Sequence, residues 1–442
     1  MSEKQVSARA MPRATSESQR LTSLDALRGF DMFWILGADS LVYAIHSLGQ
    51  NAVTRFFAVQ LDHAEWAGFH FYDLIFPMFV FIMGVSTVFS LTKIIEREGR
   101  AGAVKRVLKR GVLLFIVALI YSGGFTNPWP DMRLMGVLNR IALCYTFGGL
   151  LFIFCNARVM MAAAVALLLG YWALLANVPI RDIQLDKEPL AAQAEAAGNL
   201  TLAKQFRAID SSSPKNPSAI KDSPVWAVTR DMYFATTNRV TGKYEPGYNV
   251  VNHFDFEHLP ARKYDIFYDP EGILSTMPAL VTGLLGIFAG LFLRSRPTPE
   301  VKTALCLIGA GAASAALGWL WNFEFPVIKK LWTSSYVLVA GGYASMLLGL
   351  FYYLVDVKKW QTWCQPFIWI GMNPISLYLA SNFMGGLGFE KLARRLTGGP
   401  VNTFLNTHVA AGFGELVSAL VGVLLFIWFA RFLYQRKIFL RL

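Results

Sequence analysis

Ten long runs of apolar residues, almost free of charge, dominate this 442-residue chain. Inside a bilayer every backbone polar group must be satisfied within the protein, so such runs can serve only as spanning helices or as fully buried ones. They cover approximately residues 24–48, 69–92, 108–123, 134–155, 158–177, 272–293, 303–321, 334–355, 366–385 and 410–432. Only 16% of the residues are charged, against roughly 25% in soluble domains. The expected fold is an all-α polytopic membrane protein of about ten transmembrane helices. The count becomes eleven if 385–408 hides a further or re-entrant span.

The net charge of +12 is confined to short segments between the runs. Lys4, Arg9, Arg13 and Arg20 precede the first run, and seven Lys and Arg follow the second, from Lys93 to Arg110. Arg294, Arg296 and Lys302 follow the sixth, Lys358 and Lys359 the eighth, and Arg431, Arg436, Lys437 and Arg441 close the chain. With an even span count all of these fall on one side, and the positive-inside rule makes that side the cytoplasm. Both termini are then cytoplasmic. The same distribution argues against nucleic acid as a partner, and no cleavable signal peptide is evident.

The expected division is a polar cytoplasmic tail (1–20), a first five-helix membrane half (21–177), an extracytoplasmic cap loop (178–271) and a second membrane half (272–442). The cap segment is too long for a bare connector. Its position splits the spans five and five, as in inverted-repeat transporters, but no internal copy of a motif supports a repeat. Cys144, Cys155, Cys306 and Cys364 all lie in spans or inner loops. They form no disulfide framework and no zinc-ligand spacing, so no metal is expected. P-loop, GxSxG and metalloprotease motifs are lacking.

Chemistry concentrates at residues 62–84. His63-Ala-Glu-Trp66 leads through His70 into a helix that carries Asp73 in its first turn and Pro77 four residues later. A carboxylate at a membrane boundary must be paired or wet. Asp73 is explained either by the helix dipole or as the group that orients His63 as a proton acceptor. Pro77 frees the main-chain carbonyl of Asp73. Trp66 serves either as an interfacial anchor or as part of the site. Asp25 and Arg28, one helical turn apart, suit a salt bridge, although a guanidinium also suits phosphate. Asp39 near the outer end of the first run, and Asn139-Arg140 in the fourth, are further candidates. A buried Arg140 requires an anion, and Asp39 or Asp73 would serve. Asn373-Pro374 marks a broken helix whose freed backbone lines a cavity.

Several motifs occur in an order that resembles a known family. They are Ser23-Leu-Asp25 with Arg28-Gly29, His63-Ala-Glu-Trp66-Ala-Gly68, Asp73-Leu-Ile-Phe-Pro77 with Phe81-Ile-Met-Gly84, Asp269-Pro-Glu-Gly272 with Leu274-Ser-Thr-Met-Pro278, Lys329-Lys-Leu-Trp332-Thr-Ser-Ser335 and Gly371-Met-Asn373. Together they look like heparan-alpha-glucosaminide N-acetyltransferase and its bacterial homologues, over nearly the whole chain outside the tail and much of 178–260. The resemblance implies a bacterial inner-membrane acetyltransferase. It would take acetyl-CoA as cosubstrate from the cytosol and deliver the acetyl group to an amino sugar or other glycan on the far side.

The family's essential histidine falls on His63 and its carboxylate on Asp73. On this reading Arg28 and Asn373 bind the acyl donor, and Asp39, Trp66, Asn139 and Arg140 line the acceptor site. The partners are acetyl-CoA, a sugar and the lipid bilayer, with a homodimer left open. Three positions depart from the family pattern: Ala67 replaces Asn or His, Asp39 replaces Asn, and Asn139 stands where Gln is usual. All surround the expected site and bear on acceptor identity. Two other readings stay open. One is a secondary transporter or flippase for a sugar or lipid-linked glycan, proton-coupled through Asp39 or Asp73. The other is a non-catalytic scaffold whose outer loop binds a partner.

Overall fold

The computed structural model describes residues 21–440, except 50, 127, 129–131, 210–223, 297 and 384–387. The tail 1–20 lies outside the described residues. The first apolar run forms α1 (Thr22–Phe33) and α2 (Asp39–Leu48), joined by a wide turn at Trp34–Ala38 in which Gly37 has φ 104°. A short helix, α3 (Ala52–Gln60), follows.

The run α4 (Phe71–Tyr121) contains the second and third expected spans. Gly99, at φ 73° and ψ −178°, breaks it into two arms. Both arms pack on the same part of α5 (Val137–Phe154): a Cβ at Gly149 would meet Val107 at 3.1 Å and Leu91 at 3.5 Å. The chain therefore folds back at Gly99 through a glycine turn, because only glycine takes that backbone conformation readily. α6 (Ala157–Asn177) completes the first half.

The described residues between 178 and 275 form a layer with a core of its own. It comprises β1 (Ile180–Arg181), α7 (Lys187–Ala196), α8 (Leu200–Arg207), α9 (Pro224–Ala235), β2 (Arg239–Val240) and α10 (Val250–His258). β1 and β2 pair antiparallel, Ile180 opposite Val240. Leu190, Phe206, Tyr233, Phe256 and Phe267 form this layer's own core. A second cluster, Tyr171, Leu175, Val251, Phe325 and Leu331, fastens it to the ends of the long helices.

The second half contains α11 (Thr276–Arg294), α12 (Val301–Trp321), α13 (Ser334–Phe351, continued by a wide turn to Val357), α14 (Gln365–Gly371), α15 (Pro374–Phe383), α16 (Gly388–His408) and α17 (Phe413–Gln435). Among the described residues seven helical runs are long and apolar enough to cross a membrane: α4, α5, α6, α11, α12, α13 with its continuation, and α17. The chain is an integral membrane protein, and side chains such as Leu169, Leu305, Leu320, Leu424 and Trp428 present apolar surface outward.

Two expected spans are interrupted rather than continuous. The first breaks at Gly37, and the ninth breaks between α14 and α15, where Pro374 cannot supply the N–H that continues a helix. α16 is broken at Gly398, with Pro400 beyond it. Each of its arms is too short to span alone. All four cysteines are free thiols.

Candidate active site

The first turn of α4 organises the site. His70 is the N-cap and Asp73 the third helical residue, and the Asp73 side chain accepts the His70 N–H at 3.0 Å. A carboxylate in this position satisfies amides that a helix start leaves unpaired. The same oxygen accepts the N–H of Ala64 at 3.1 Å, which pins the preceding loop. The other carboxylate oxygen lies 2.9 Å from Nδ1 of His63. Asp73 is fully buried, whereas the His63 side chain is half exposed. A buried anion thus holds a half-exposed imidazole by Nδ1 and leaves Nε2, which lies 3.3 Å from Nζ of Lys329, as the nitrogen able to accept a proton.

Lys329, from the connection between α12 and α13, completes the group. Its Nζ lies 3.3 Å from Asp73 and 2.9 Å from Nδ1 of His63. Burial pushes the Lys329 pKa below the usual lysine value, and Asp73 pulls it part of the way back. Nδ1 has one position for a hydrogen bond: it donates to Asp73 or accepts from Lys329, never both at once. Tyr336, wholly buried on α13, donates its hydroxyl at 2.8 Å to the main-chain carbonyl of Asp73. Pro77 leaves that carbonyl without its helical partner.

One face of α4, with Tyr72, Phe76, Phe79, Met83, Ser86 and Ser90 at helical spacing, lines a cavity of about 670 Å³. His63, Glu271 and Lys329 sit at one end, and Asp25, Arg28, Arg106 and Arg110 at the other. Tyr72 and Ser90 are 18 residues apart on one helix arm, roughly 27 Å at 1.5 Å per residue, a distance that takes the cavity most of the way across a bilayer core. Between its ends the walls are mainly apolar, with Leu138 and Ile141 of α5 beside the α4 face.

The remaining expected residues are distributed as follows. Arg28 lines the far end and binds Ser86 at 2.8 Å, the carbonyl of Gly371 at 3.1 Å and Asp25 at 3.4 Å. Asn373 is buried between the cavity-lining Met372 and Pro374, and its amide meets no hydrogen-bond partner among the described residues. Asp39 begins α2, and its side chain lies outside the described residues. Trp66 turns away from His63 toward the cap, its indole N–H donating to the carbonyl of Tyr244 at 2.7 Å. Asn139 is buried, with a 3.5 Å contact to the carbonyl of Phe115.

Arg140 is buried but does not pair with Asp73, and the side chain of Asp39 lies outside the described residues. It donates to the carbonyl of Pro270 at 2.7 Å and to Ser275, and it lies 4.7 Å from the centre of the Trp332 ring. A carbonyl dipole and an aromatic face meet the guanidinium where Asp73 does not. The nearby carboxylate is Glu271, which Arg133 holds at 2.6 Å; burial raises its pKa, and Arg133 and Arg140 oppose the rise. Lys329, Tyr336 and Glu271 were not singled out as site residues from the sequence. A lysine pair between two apolar runs, next to an aromatic and off the positive side, is the one local signal that marks Lys329.

A model of the catalytic region of heparan-alpha-glucosaminide N-acetyltransferase matches residues 20–185, which include His63, Asp73 and both arms of α4. Human heparan-alpha-glucosaminide N-acetyltransferase is 30% identical over 340 residues, 72% of this chain and 48% of the human protein. The chain belongs to the heparan-alpha-glucosaminide N-acetyltransferase-like family. The mouse member is 26% identical over 386 residues, 81% of this chain and 54% of its own length. The chain thus spans about half the length of the curated relatives it matches. Within the family match lie the histidine, the carboxylate and the cavity-lining face of α4, whereas Lys329 and Tyr336 come from beyond residue 185.

Proposed function

We propose that this protein is a membrane acetyltransferase that uses cytosolic acetyl-CoA to acetylate a sugar, an amino sugar or other glycan, on the opposite side of the membrane. The observation that carries the reading is the cavity that joins the His63–Asp73 pair to a basic mouth at Arg28, Arg106 and Arg110. A cosubstrate with phosphates at one end and a thioester at the other matches that polarity. Guanidinium groups suit the phosphates, the apolar middle suits the connecting arm, and the thioester would lie toward His63. Acetyl-CoA supplies an acetyl group already activated as a thioester.

His63 is read as the base. Its Nε2 takes the proton from the acceptor amine or hydroxyl as the new carbon–nitrogen or carbon–oxygen bond forms and the thiolate departs. Asp73 orients the ring and stabilises the imidazolium. Asn373 belongs to the donor side, and Arg140, Asn139 and Asp39 to the acceptor side, as positioning residues rather than reacting ones. In this reading the layer 178–271 faces away from the cytoplasm, both termini face it, and the membrane is a bacterial inner membrane.

The test is acetyl transfer from radiolabelled acetyl-CoA by protein purified in detergent, against a panel of amino sugars and other glycans. Transfer that requires the protein supports the reading. No transfer, together with uptake of labelled sugar into proteoliposomes, replaces it with a transporter.

A further inference from the structure

Two tyrosines of the long cavity have no part in the proton transfer at His63. Tyr121 ends the second arm of α4 and Tyr378 lies on α15, and both line the cavity. Their rings stack, with 4.6 Å between centres and 12° between planes. Both residues are half-buried, so each keeps surface toward the cavity.

The pair belongs to the His63 end. Tyr121 stands eleven residues beyond Arg110 on one helix arm, roughly 16 Å at 1.5 Å per residue. A Cβ at Gly136 would lie 3.8 Å from Oγ of Ser122, the residue after Tyr121, and 3.9 Å from the guanidinium carbon of Arg133. Arg133 holds Glu271 at 2.6 Å. Glu271 and Arg133 both act electrostatically on Tyr378, and Glu271 acts on Lys329, whose Nζ is 2.9 Å from His63. Tyr121, Tyr378, Glu271 and His63 therefore share one end of one cavity.

We propose that the Tyr121–Tyr378 pair is the platform on which the acceptor's pyranose ring rests, with Glu271 accepting a hydrogen bond from one of its hydroxyls. This rests on the reading of the cavity as an acetyl-transfer site. A pyranose has an apolar C–H face and a rim of hydroxyls. Stacked tyrosines offer a flat apolar surface that sets the plane of such a ring. The two rings brace each other, so the surface is formed before a ligand arrives. The rim needs an acceptor that stays in place. Arg133, which holds Glu271, is itself gripped by both oxygens of Asp269, at 2.8 and 2.9 Å. A carboxylate fixed in this way gives a hydroxyl a strong, directed bond. Contact at the face by the tyrosines and at the rim by Glu271 limits how the sugar can be turned toward His63. A pair that only packed α15 against α4 would be served as well by aliphatic side chains.

The test is the kinetics of acetyl transfer to glucosamine by Tyr378→Leu, Tyr378→Phe and Glu271→Gln. Tyr378→Leu should raise KM for glucosamine roughly five- to tenfold, the worth of an aromatic contact, and leave KM for acetyl-CoA unchanged. Tyr378→Phe keeps the ring and should keep the wild-type KM. Glu271→Gln should raise KM for glucosamine about tenfold or more and again spare acetyl-CoA. In Tyr378→Leu, two KM values that rise together, or a glucosamine KM that does not rise, would overturn the platform. A Tyr378→Phe protein as impaired as Tyr378→Leu would do the same. Calorimetric titration of His63→Ala protein with glucosamine separates this failure from that of the transfer reading. If the wild type transfers no acetyl, but adding Tyr378→Leu to His63→Ala weakens glucosamine binding, the transfer reading fails and the platform stands. If the wild type transfers with a glucosamine KM that Tyr378→Leu leaves unaltered, the transfer reading stands and the platform fails.

Discussion

Tyr336 donates its hydroxyl to the main-chain carbonyl of Asp73 at 2.8 Å, in the place where Pro77 has removed the helical donor. The proline therefore links the first turn of α4 to α13 in the second half of the chain. Tyr336→Phe should leave a buried carbonyl unpaired and cost about 1–3 kcal/mol, read as a lower unfolding midpoint. Turnover should fall as well, but less than in Asp73→Asn. A midpoint equal to that of the wild type would show that this carbonyl needs no protein donor.

The basic mouth makes a separate prediction about the acyl donor. Arg28→Ala and Arg110→Ala should each weaken acetyl-CoA binding about tenfold, since a charged hydrogen bond contributes roughly 1.5–3 kcal/mol. Arg28 is also tied to Ser86, Gly371 and Asp25, so its loss should lower stability too. Calorimetry with CoA separates the two effects. Undiminished affinity in Arg110→Ala would locate the phosphates elsewhere.

How much of this was legible in the sequence depends on range. His63 and Asp73 are ten residues apart, and the turn between them is closed by the helix cap, so a local reading could pair them. Pro77 and the carbonyl it frees are likewise local. The donor that satisfies that carbonyl, Tyr336, is 263 residues away in sequence. Lys329 is 266 residues from His63, and no periodicity encodes such a contact. Arg140 was assigned an anion on the ground that a buried charge needs one. Its guanidinium meets a carbonyl, a hydroxyl and the Trp332 ring, with the Glu271 carboxylate near enough to act on it electrostatically. Span number was hard to read for a related reason. Gly99, Gly37 and Asn373-Pro374 act on backbone geometry while the apolar pattern runs on around them.

Orientation is tested by thiol labelling. Ala197, exposed in the turn between α7 and α8, belongs to the segment assigned to the far side. An impermeant maleimide added outside intact cells should modify Ala197→Cys. Of the native thiols, Cys144 and Cys364 are buried and Cys306 lies on the apolar helix α12. Labelling that appears only after permeabilisation would reverse the topology.

The cap should show two opposed pH effects from one helix. Burial, with Asp269 beside it, raises the Asp255 pKa from 3.8 to about 7. Its contribution to stability is full below pH 3.8 and is lost as the pH rises to about 7. Burial lowers the His253 pKa from 6.5 to about 4. Its contribution is full above pH 6.5 and is lost as the pH falls through about 4. The two slopes oppose each other across this window. Asp255→Asn should leave stability rising from pH 4 to 6.5, and His253→Gln should leave it falling from pH 4 to 7. Fluorescence melts of both variants read the slopes, and parallel slopes would contradict the assignment.

The central residue is His63. If its Nε2 takes the acceptor's proton, His63→Ala should still bind CoA while turnover falls roughly 100- to 10,000-fold. Asp73→Asn should also be impaired, because an amide cannot stabilise the imidazolium as a carboxylate does. Lys329 adds a pH signature. While charged, its ammonium competes with Asp73 for Nδ1; once neutral, the ring is left to Asp73. Burial lowers the Lys329 pKa, so this release comes at a lower pH than for a lysine in water. The rate should therefore rise with pH through the Lys329 titration. Lys329→Arg keeps its charge throughout the accessible range, so that rise should vanish from its profile. An unchanged profile in Lys329→Arg would remove the lysine from proton control, and full activity in His63→Ala would remove the histidine from the mechanism altogether.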